Sequence, residues 1–312
     1  MVSKRYADGR GEIRLSHKTT EKLHDAAKGL DARPVSEIAD LLAQGQVQAA
    51  AAVASANEAI CEGADQMTHT IAGGGVLHYV AAGSSGLMSA ADAQELGGTF
   101  SIPPAQIRIH MAGGLPTGVE MPGGTEDETA GLEAGLAALD ERDTVIAVSA
   151  SGSTPYTLAA MKIAQAAGAR VIGIANNAGS ELLEQSDIQV LLQTPPEVIS
   201  GSTRMGAGTA QKIALNMLST LMAIKLGHVH DGMMVNLTAD NAKLRLRARG
   251  IVERVADVDE TIAEDALAQT NGRVKSAVLL ASGARDARAA ETLLEQTGGQ
   301  LRPALAQVKT ED

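Results

Sequence analysis

The chain has 312 residues, of which 45% are hydrophobic, and it carries a formal net charge of -11 with one cysteine, Cys61. This size and apolar content suffice for a full α/β core, while a single cysteine excludes an intrachain disulfide and a multi-thiolate metal site within one subunit. The acidic charge argues against a nucleic-acid surface, and no apolar run reaches the roughly 18 residues of a membrane span. We therefore expect a cytoplasmic protein that binds a small molecule, without nucleic acid, membrane, metal or cofactor.

The N-terminal part of the chain is typical of helices. Ser36 with Glu37 can open one helix, and the Ala-rich stretch from Gln46 to Met67 predicts another. We expect residues 1–60 to form a helical extension that covers the sheet or a partner subunit.

Short apolar, β-branched runs alternate with helix-like stretches in the middle of the chain. Strands buried on both faces and separated by helices favour a doubly wound, parallel five-stranded sheet. Ligands of such sheets bind beyond the carboxyl ends of the strands. The five predicted strands are Val76 to Ala82, Ile107 to Met111, Val145 to Val148, Val171 to Ala175 and Ile188 to Leu192.

Two Ser/Gly turns directly follow predicted strands. Gly83-Ser-Ser-Gly86 leads into the helix-like stretch Leu87 to Glu95, and Ser149-Ala-Ser-Gly-Ser153 precedes Pro155, which suits a first helical turn. Unpaired N–H groups and the positive end of a helix dipole favour an anion at such a turn. One turn alone is equally compatible with a connecting loop, but two at the same edge predict an anion pocket.

A third hydroxyl cluster, Ser200 to Arg204, precedes a predicted buried helix that Gly227 ends. Arg204 has a fork geometry suited to a phosphate or carboxylate. We expect a sugar-binding domain over residues 61–237 and a C-terminal lobe of three or four short helices over 238–312. The spacing of His228 and His230 could present two metal ligands on one face of an extended segment. A polar loop is favoured over a metal site because no third ligand is apparent.

The chain resembles the N-acetylmuramic acid 6-phosphate etherase family of sugar-isomerase (SIS) domains, of which the glucokinase regulatory protein is a relative. The resemblance runs from about Val76 to Leu305. The stretches that carry it include Ala82 to Gly86, Asp92 to Glu95, Gly124 to Asp127, Ser151 to Tyr156, Pro196 to Lys212 and Asn241 to Leu244.

The resemblance implies a lyase that removes D-lactate from C3 of N-acetylmuramic acid 6-phosphate, or acts on a related sugar acid ether, by elimination and hydration. Glu95 would be the acid for the leaving group and Glu126 the base that takes the C2 proton. Each glutamate also has a purely structural interpretation. Glu95 could be an ordinary solvated helix residue, and Glu126 could simply favour the N-terminus of the next helix. The substrate-binding side chains would be Ser84, Ser85, Ser149, Ser151, Thr154, Glu197, Ser202, Thr203, Arg204 and Lys243.

The chain has an uncharged residue at several positions where the family pattern has Arg or Lys. Leu87, Ser153 and Gly206 stand at three such positions, so binding of a phosphate or lactyl carboxylate should be weaker. Two alternatives stay open: an aldose-ketose isomerase of the same fold, and a noncatalytic sugar-phosphate regulator.

The predicted position of Glu95 is far from the first Ser/Gly turn. Glu95 would lie about 14 Å along its helix from Gly86, which exceeds the length of a hexose. We therefore expect a homodimer whose active sites combine residues of both subunits, with the Gly97-Gly98 segment forming a bend beside Glu95.

Overall fold

A central parallel sheet organises the computed structural model, which describes residues 18–121, 124–237 and 242–308. Its strand order is β2-β1-β3-β4-β5, with all neighbours parallel. The winding direction reverses between β1 and β3, so the crevice at their carboxyl ends is the expected ligand site. The prediction of a doubly wound five-stranded sheet is confirmed. The strands are β1 (Leu77–Ala81), β2 (Ile107–Met111), β3 (Thr144–Ser149), β4 (Arg170–Ala175) and β5 (Ile188–Leu191).

Helices cover both faces of this sheet. On one face, Leu77, Tyr79 and Ala81 of β1 point into an apolar cluster with α2, α3 and α7, while Val80 points into the opposite cluster with α4, α5 and α6. The helix α1 packs against α7. The helices are α1 (Val35–Ala52), α2 (Asn57–Ala72), α3 (Gly83–Phe100), α4 (Leu132–Gly135), α5 (Pro155–Ala166), α6 (Glu181–Gln185) and α7 (Gly206–Lys225).

Two helix boundaries differ from the prediction. The first helix continues to Ala52, and a 3-10 turn at Val53–Ala56 separates it from the second. The helix α3 begins at Gly83, so Ser84 and Ser85 lie in its first turn rather than in a loop before it.

The predicted bend at Gly97-Gly98 is wrong. The helix α3 runs through both glycines because Leu96 and Phe100, on either side of them, are buried in the core and hold the helix against the sheet. Ser101, with a φ of 55°, then ends the helix in the left-handed region.

The C-terminal lobe has its own apolar core, centred on α10. It contains five helices among the described residues rather than three or four, because left-handed residues at Asp257, Asn271, Gly283 and Gly298 separate consecutive helices. They are α8 (Ala242–Ala256), α9 (Glu260–Gln269), α10 (Val274–Ala281), α11 (Ala287–Gln296) and α12 (Leu301–Val308). A hairpin of β6 (Val229–His230) and β7 (Met233–Met234) follows α7. The domain boundaries at 60 and 237 stay predictions.

None of the helices in the described ranges combines the length and the apolar character that a membrane span needs.

Asp92 joins α3 to both the sheet and α7. The buried Asp92 carboxylate accepts hydrogen bonds from Tyr79 Oη at 3.0 Å, Asn216 Nδ2 at 2.7 Å and Ser219 Oγ at 2.8 Å. Burial raises the pKa of the Asp92 carboxyl, which these three hydrogen bonds and the charge of Lys212 oppose. Asp92 therefore fixes the rotation of α3, and with it the side on which Glu95 emerges one turn later.

Replacing this carboxylate should destabilise the fold. We expect Asp92→Ala to lower the free energy of unfolding by about 3 kcal/mol, because it leaves two buried donors and one half-buried donor without their acceptor. Urea denaturation measures the change. Asp40→Ala, at an exposed position of α1, should shift stability by less than about 0.5 kcal/mol. An equal effect of both substitutions would contradict the structural role of the Asp92 network.

Candidate active site

The turn after β3 gathers four hydroxyls into one hydrogen-bonded cluster. Ser149 Oγ lies 2.8 Å from Thr154 Oγ1 and 3.3 Å from Ser151 Oγ. Ser153 Oγ donates to Ser151 Oγ at 3.1 Å. The structure thus brings together Ser149, Ser151 and Thr154, which the sequence predicted as substrate-binding residues, and adds Ser153.

The conformation of this turn requires a glycine. Gly152 has a φ of +67°, and a Cβ there would lie 2.2 Å from Ser180 Oγ. The Gly152 N–H donates to Ser149 Oγ at 3.1 Å, and the Ser153 N–H donates to Ser151 Oγ at 3.2 Å. The serine side chains therefore hold the turn in shape as well as lining it.

The helix α5 begins immediately after the hydroxyl cluster, with Pro155 in its first turn as predicted. Its N-cap residue, Thr154, makes no capping hydrogen bond with its side chain, since Thr154 Oγ1 bonds to Ser149 instead. The positive end of the α5 dipole is therefore left to attract an anion at the same place as the hydroxyls.

The first Ser/Gly turn forms a second open helix end. The N-cap of α3 is Ala82, which has no side-chain oxygen, and Ser84 and Ser85 are half-buried and buried in the first turn. Because β1 and β3 are neighbours, α3 and α5 begin side by side at the same edge of the sheet.

The Glu126 carboxylate lies against the start of α3. Glu126 belongs to a 3-10 turn at Thr125–Asp127 that packs against α5, and a Cβ built on Gly83 would lie 2.9 Å from Glu126 Oε1. Gly83, with a φ of +54°, gives the carboxylate this close approach. The structure thus places a carboxylate, which can accept a proton, beside the open start of α3.

The third hydroxyl cluster is arranged differently, because Glu197 closes the end of α7. The buried Glu197 carboxylate accepts hydrogen bonds from the N–H groups of Gly206 at 2.9 Å and Ala207 at 2.8 Å. Ser202 and Thr203 are half-buried in the preceding loop, and Arg204 is exposed. The contacts assign Glu197 a capping role, while its predicted contact with substrate, like those of Ser202, Thr203 and Arg204, stays a prediction.

Glu95 lies in a separate groove of about 460 Å³ between α3 and α7. The groove also contains Asp92, Lys212 and Asn216, but neither serine of the first turn. Glu95 is twelve positions after Gly83, which is about 18 Å along a helix. Within one chain, the structure therefore does not bring Glu95 together with Glu126.

Lys243 is exposed in the first turn of α8, while the neighbouring Asn241 lies outside the described residues. The structure also reveals a cation that the sequence gave no reason to select. Lys18 Nζ donates to Ser153 Oγ at 2.5 Å, across 135 residues of sequence. No periodicity or motif marked this lysine, since the contact depends on how the N-terminal segment packs over the sheet edge.

Across the described ranges, no group of three His, Cys, Asp or Glu side chains has the arrangement of a metal site. Burial lowers the pKa of His228 to about 4, with a smaller contribution from the charge of Lys275. His228 is therefore neutral near pH 7, and it is half-buried near Lys275 of α10.

Two solved structures that resemble part of this chain are the following. The Vibrio vulnificus NanR protein complexed with ManNAc-6P is 16% identical, with a TM-score of 0.46, over 64% of this chain and 66% of that one. A phosphoheptose isomerase from Francisella tularensis is 18% identical, with a TM-score of 0.41, over 63% of this chain and 98% of that one.

Sequence comparisons cover much more of the chain. The SIS domain model matches residues 126–226. An N-acetylmuramic acid 6-phosphate etherase from Deinococcus radiodurans is 40% identical over 92% of this chain and 95% of the relative. One from Streptomyces avermitilis is 40% identical over 95% and 96%, and one from Burkholderia lata is 37% identical over 94% and 97%. These alignments extend over nearly the whole of each protein, and the chain therefore belongs to the N-acetylmuramic acid 6-phosphate etherase family.

Proposed function

We propose that this protein is a carbon–oxygen lyase that cleaves the D-lactyl ether of N-acetylmuramic acid 6-phosphate. The observation that carries the proposal is the position of Glu126, whose carboxylate lies against Gly83 at the open start of α3. An anion binder alone would not require a carboxylate there, since its charge repels an anionic ligand. A base for the sugar bound at that edge accounts for it. The predicted cytoplasmic location stays a prediction.

The phosphate would bind at the hydroxyl cluster after β3. Ser149, Ser151 and Thr154 present hydroxyls next to the open end of α5, and Ser84 and Ser85 present theirs next to the open end of α3. Hydroxyl donors and the positive end of a helix dipole both favour phosphate oxygens. The sugar would then extend from this anchor toward Glu126.

The reaction requires a base, an acid and then a water molecule. In the open-chain form of the sugar, the C1 aldehyde acidifies the C2 proton, and the Glu126 carboxylate would take it. The C2 electron pair then forms the C2–C3 double bond as the C3–O bond breaks, and a protonated Glu95 would transfer its proton to the departing lactate oxygen. Water adds to C3, giving its proton to Glu95, while Glu126 returns a proton to C2. The products are D-lactate and N-acetylglucosamine 6-phosphate.

The separation of the two glutamates supports a homodimer with shared active sites. Glu95 lies about 18 Å along α3 from Gly83, against which the Glu126 carboxylate lies, and this is too far for one hexose to bridge. A second chain that places its Glu95 groove over the Glu126 edge of the first would complete the acid and base pair. Two-fold symmetry would then form two equivalent sites.

Isotope exchange should separate the roles of the two glutamates. In heavy water with N-acetylmuramic acid 6-phosphate, we expect Glu126→Gln to lose both deuterium incorporation at C2 and lactate release, because the base is absent. Glu95→Gln should retain part of the exchange and lose lactate release, because only the acid is absent. Mass spectrometry of the sugar and a lactate assay give the two readouts.

Glu128→Gln is the matched control, since Glu128 is exposed on the same loop as Glu126. It should keep both exchange and lactate release. Full activity of the Glu95→Gln and Glu126→Gln variants would rule out the assigned roles. Formation of a ketose without lactate would identify an isomerase, and binding of sugar phosphates without turnover would identify a regulator.

Mixing the two inactive variants tests the shared site. If each site combines Glu126 of one chain with Glu95 of the other, a heterodimer of the Glu95→Gln and Glu126→Gln chains contains one intact site. Random assortment makes about half of the dimers heterodimers, so coexpression should restore about a quarter of wild-type lactate release. Activity no greater than that of either variant alone would show that the site lies within one chain.

A further inference from the structure

The N-terminal segment places a cation on the hydroxyl cluster after β3. Lys18 is half-buried, and its Nζ donates to Ser153 Oγ, which in turn donates to Ser151 Oγ. Ser149, Ser151, Ser153 and Thr154 are neutral, so the cluster itself carries no positive side chain. Lys18 is therefore the charged member of this group in the described part of the chain.

Specific contacts hold the segment in this position. Asn177 Nδ2, which follows β4, donates to Thr20 Oγ1 at 3.1 Å and to the carbonyl oxygen of Ala150 at 3.1 Å. The Thr20 N–H donates back to Asn177 Oδ1 at 3.4 Å. Thr20 is 4% exposed. One amide side chain thus joins the segment to the same turn that presents the hydroxyls.

A second contact fixes the far end of the segment. Ser200 Oγ donates to the carbonyl oxygen of Glu21 at 3.3 Å, and Ser200 lies in the loop that leads to α7. The segment at residues 18–22 therefore crosses the sheet edge from the hydroxyl cluster after β3 to the third hydroxyl cluster, in the loop before α7. Packing at both ends fixes where the Lys18 ammonium lies.

The local charges favour an anion next to Lys18. Its contact in the described residues is a hydroxyl rather than a carboxylate, so its charge is not neutralised there. An ammonium has three N–H donors, and Ser153 accepts from one of them. Two donors are left for phosphate oxygens beside the open end of α5.

We propose that Lys18 is the phosphate-binding cation of this site, carried by the docked segment rather than by the sheet domain. The inference rests on the proposed function in taking a sugar 6-phosphate as the ligand. It adds a residue that determines specificity for the phosphorylated sugar over the same sugar without phosphate. Lys18 takes no part in proton transfer and acts on affinity for the phosphate.

Ligand binding by calorimetry tests the role of Lys18. Lys18→Met should raise the Kd for N-acetylglucosamine 6-phosphate by roughly tenfold to a hundredfold, the range expected for loss of one charge-assisted contact. Its Kd for N-acetylglucosamine, the same sugar without the phosphate, should stay within about twofold. Lys18→Arg should restore most of the affinity for the phosphorylated sugar because it keeps the charge.

Lys22→Met is the matched control, since Lys22 is exposed in the same segment. It should bind both sugars like the wild type. The proposal is overturned if Lys18→Met binds the phosphorylated sugar as tightly as the wild type does, if it weakens both sugars equally, or if the wild type itself does not prefer the phosphorylated sugar.

A conservative pair tests whether the segment positions the ammonium. Thr20→Val removes the acceptor for Asn177 and should weaken only the phosphorylated sugar, whereas Thr20→Ser should keep wild-type affinity. Equal weakening of both sugars by Thr20→Val would indicate a general packing role. The binding measurement is independent of catalysis. If Lys18→Met selectively loses affinity for the phosphorylated sugar but the wild type releases no lactate, the role of Lys18 is supported and the lyase is refuted. If the wild type releases lactate but Lys18→Met keeps its affinity for the phosphorylated sugar, the lyase is supported and the role of Lys18 is refuted.

Discussion

Two helix starts at adjacent strand ends determine what this edge of the sheet can bind. The helices α3 and α5 follow β1 and β3, and neither receives a capping hydrogen bond from its N-cap side chain. Uncapped N–H groups at a partly buried edge need a partner, and a bound anion satisfies them while interacting with both dipoles. Two glycines shape these helix starts. Gly83 lets Glu126 approach the start of α3, and Gly152 lets Ser180 approach the turn before α5.

The contrast with α7 limits the anion site to one part of the edge. Glu197 already supplies a buried carboxylate to the N–H groups of Gly206 and Ala207, so the start of α7 carries its own negative charge. A phosphate placed there would meet electrostatic repulsion rather than an open helix end. The third hydroxyl cluster therefore suits neutral parts of a ligand, while the start of α5 suits its phosphate.

Sequence patterns were sufficient for the parts of the site that depend on local order. Each predicted strand lies within two residues of its observed bounds, because continuous apolar runs such as Val145 to Val148 can be buried only as central strands. The start of α3 was misplaced because Ser and Gly are as common in turns as in first helical turns. The contacts of Glu126 with Gly83 and of Lys18 with Ser153 join residues 43 and 135 positions apart through irregular segments, so no period in the sequence could reveal them.

The Asp92 network bears directly on how the two glutamates could act together. Because Asp92 binds donors from β1 and α7 at once, α3 cannot rotate or slide to bring Glu95 toward its own first turn without breaking the three hydrogen bonds of Asp92. Glu95 is therefore held on the helix, about 18 Å along α3 from Gly83, against which Glu126 lies. The separation of acid and base within one chain is the physical reason to expect the second carboxyl group from another copy, and it ties the proposed chemistry to assembly of the dimer.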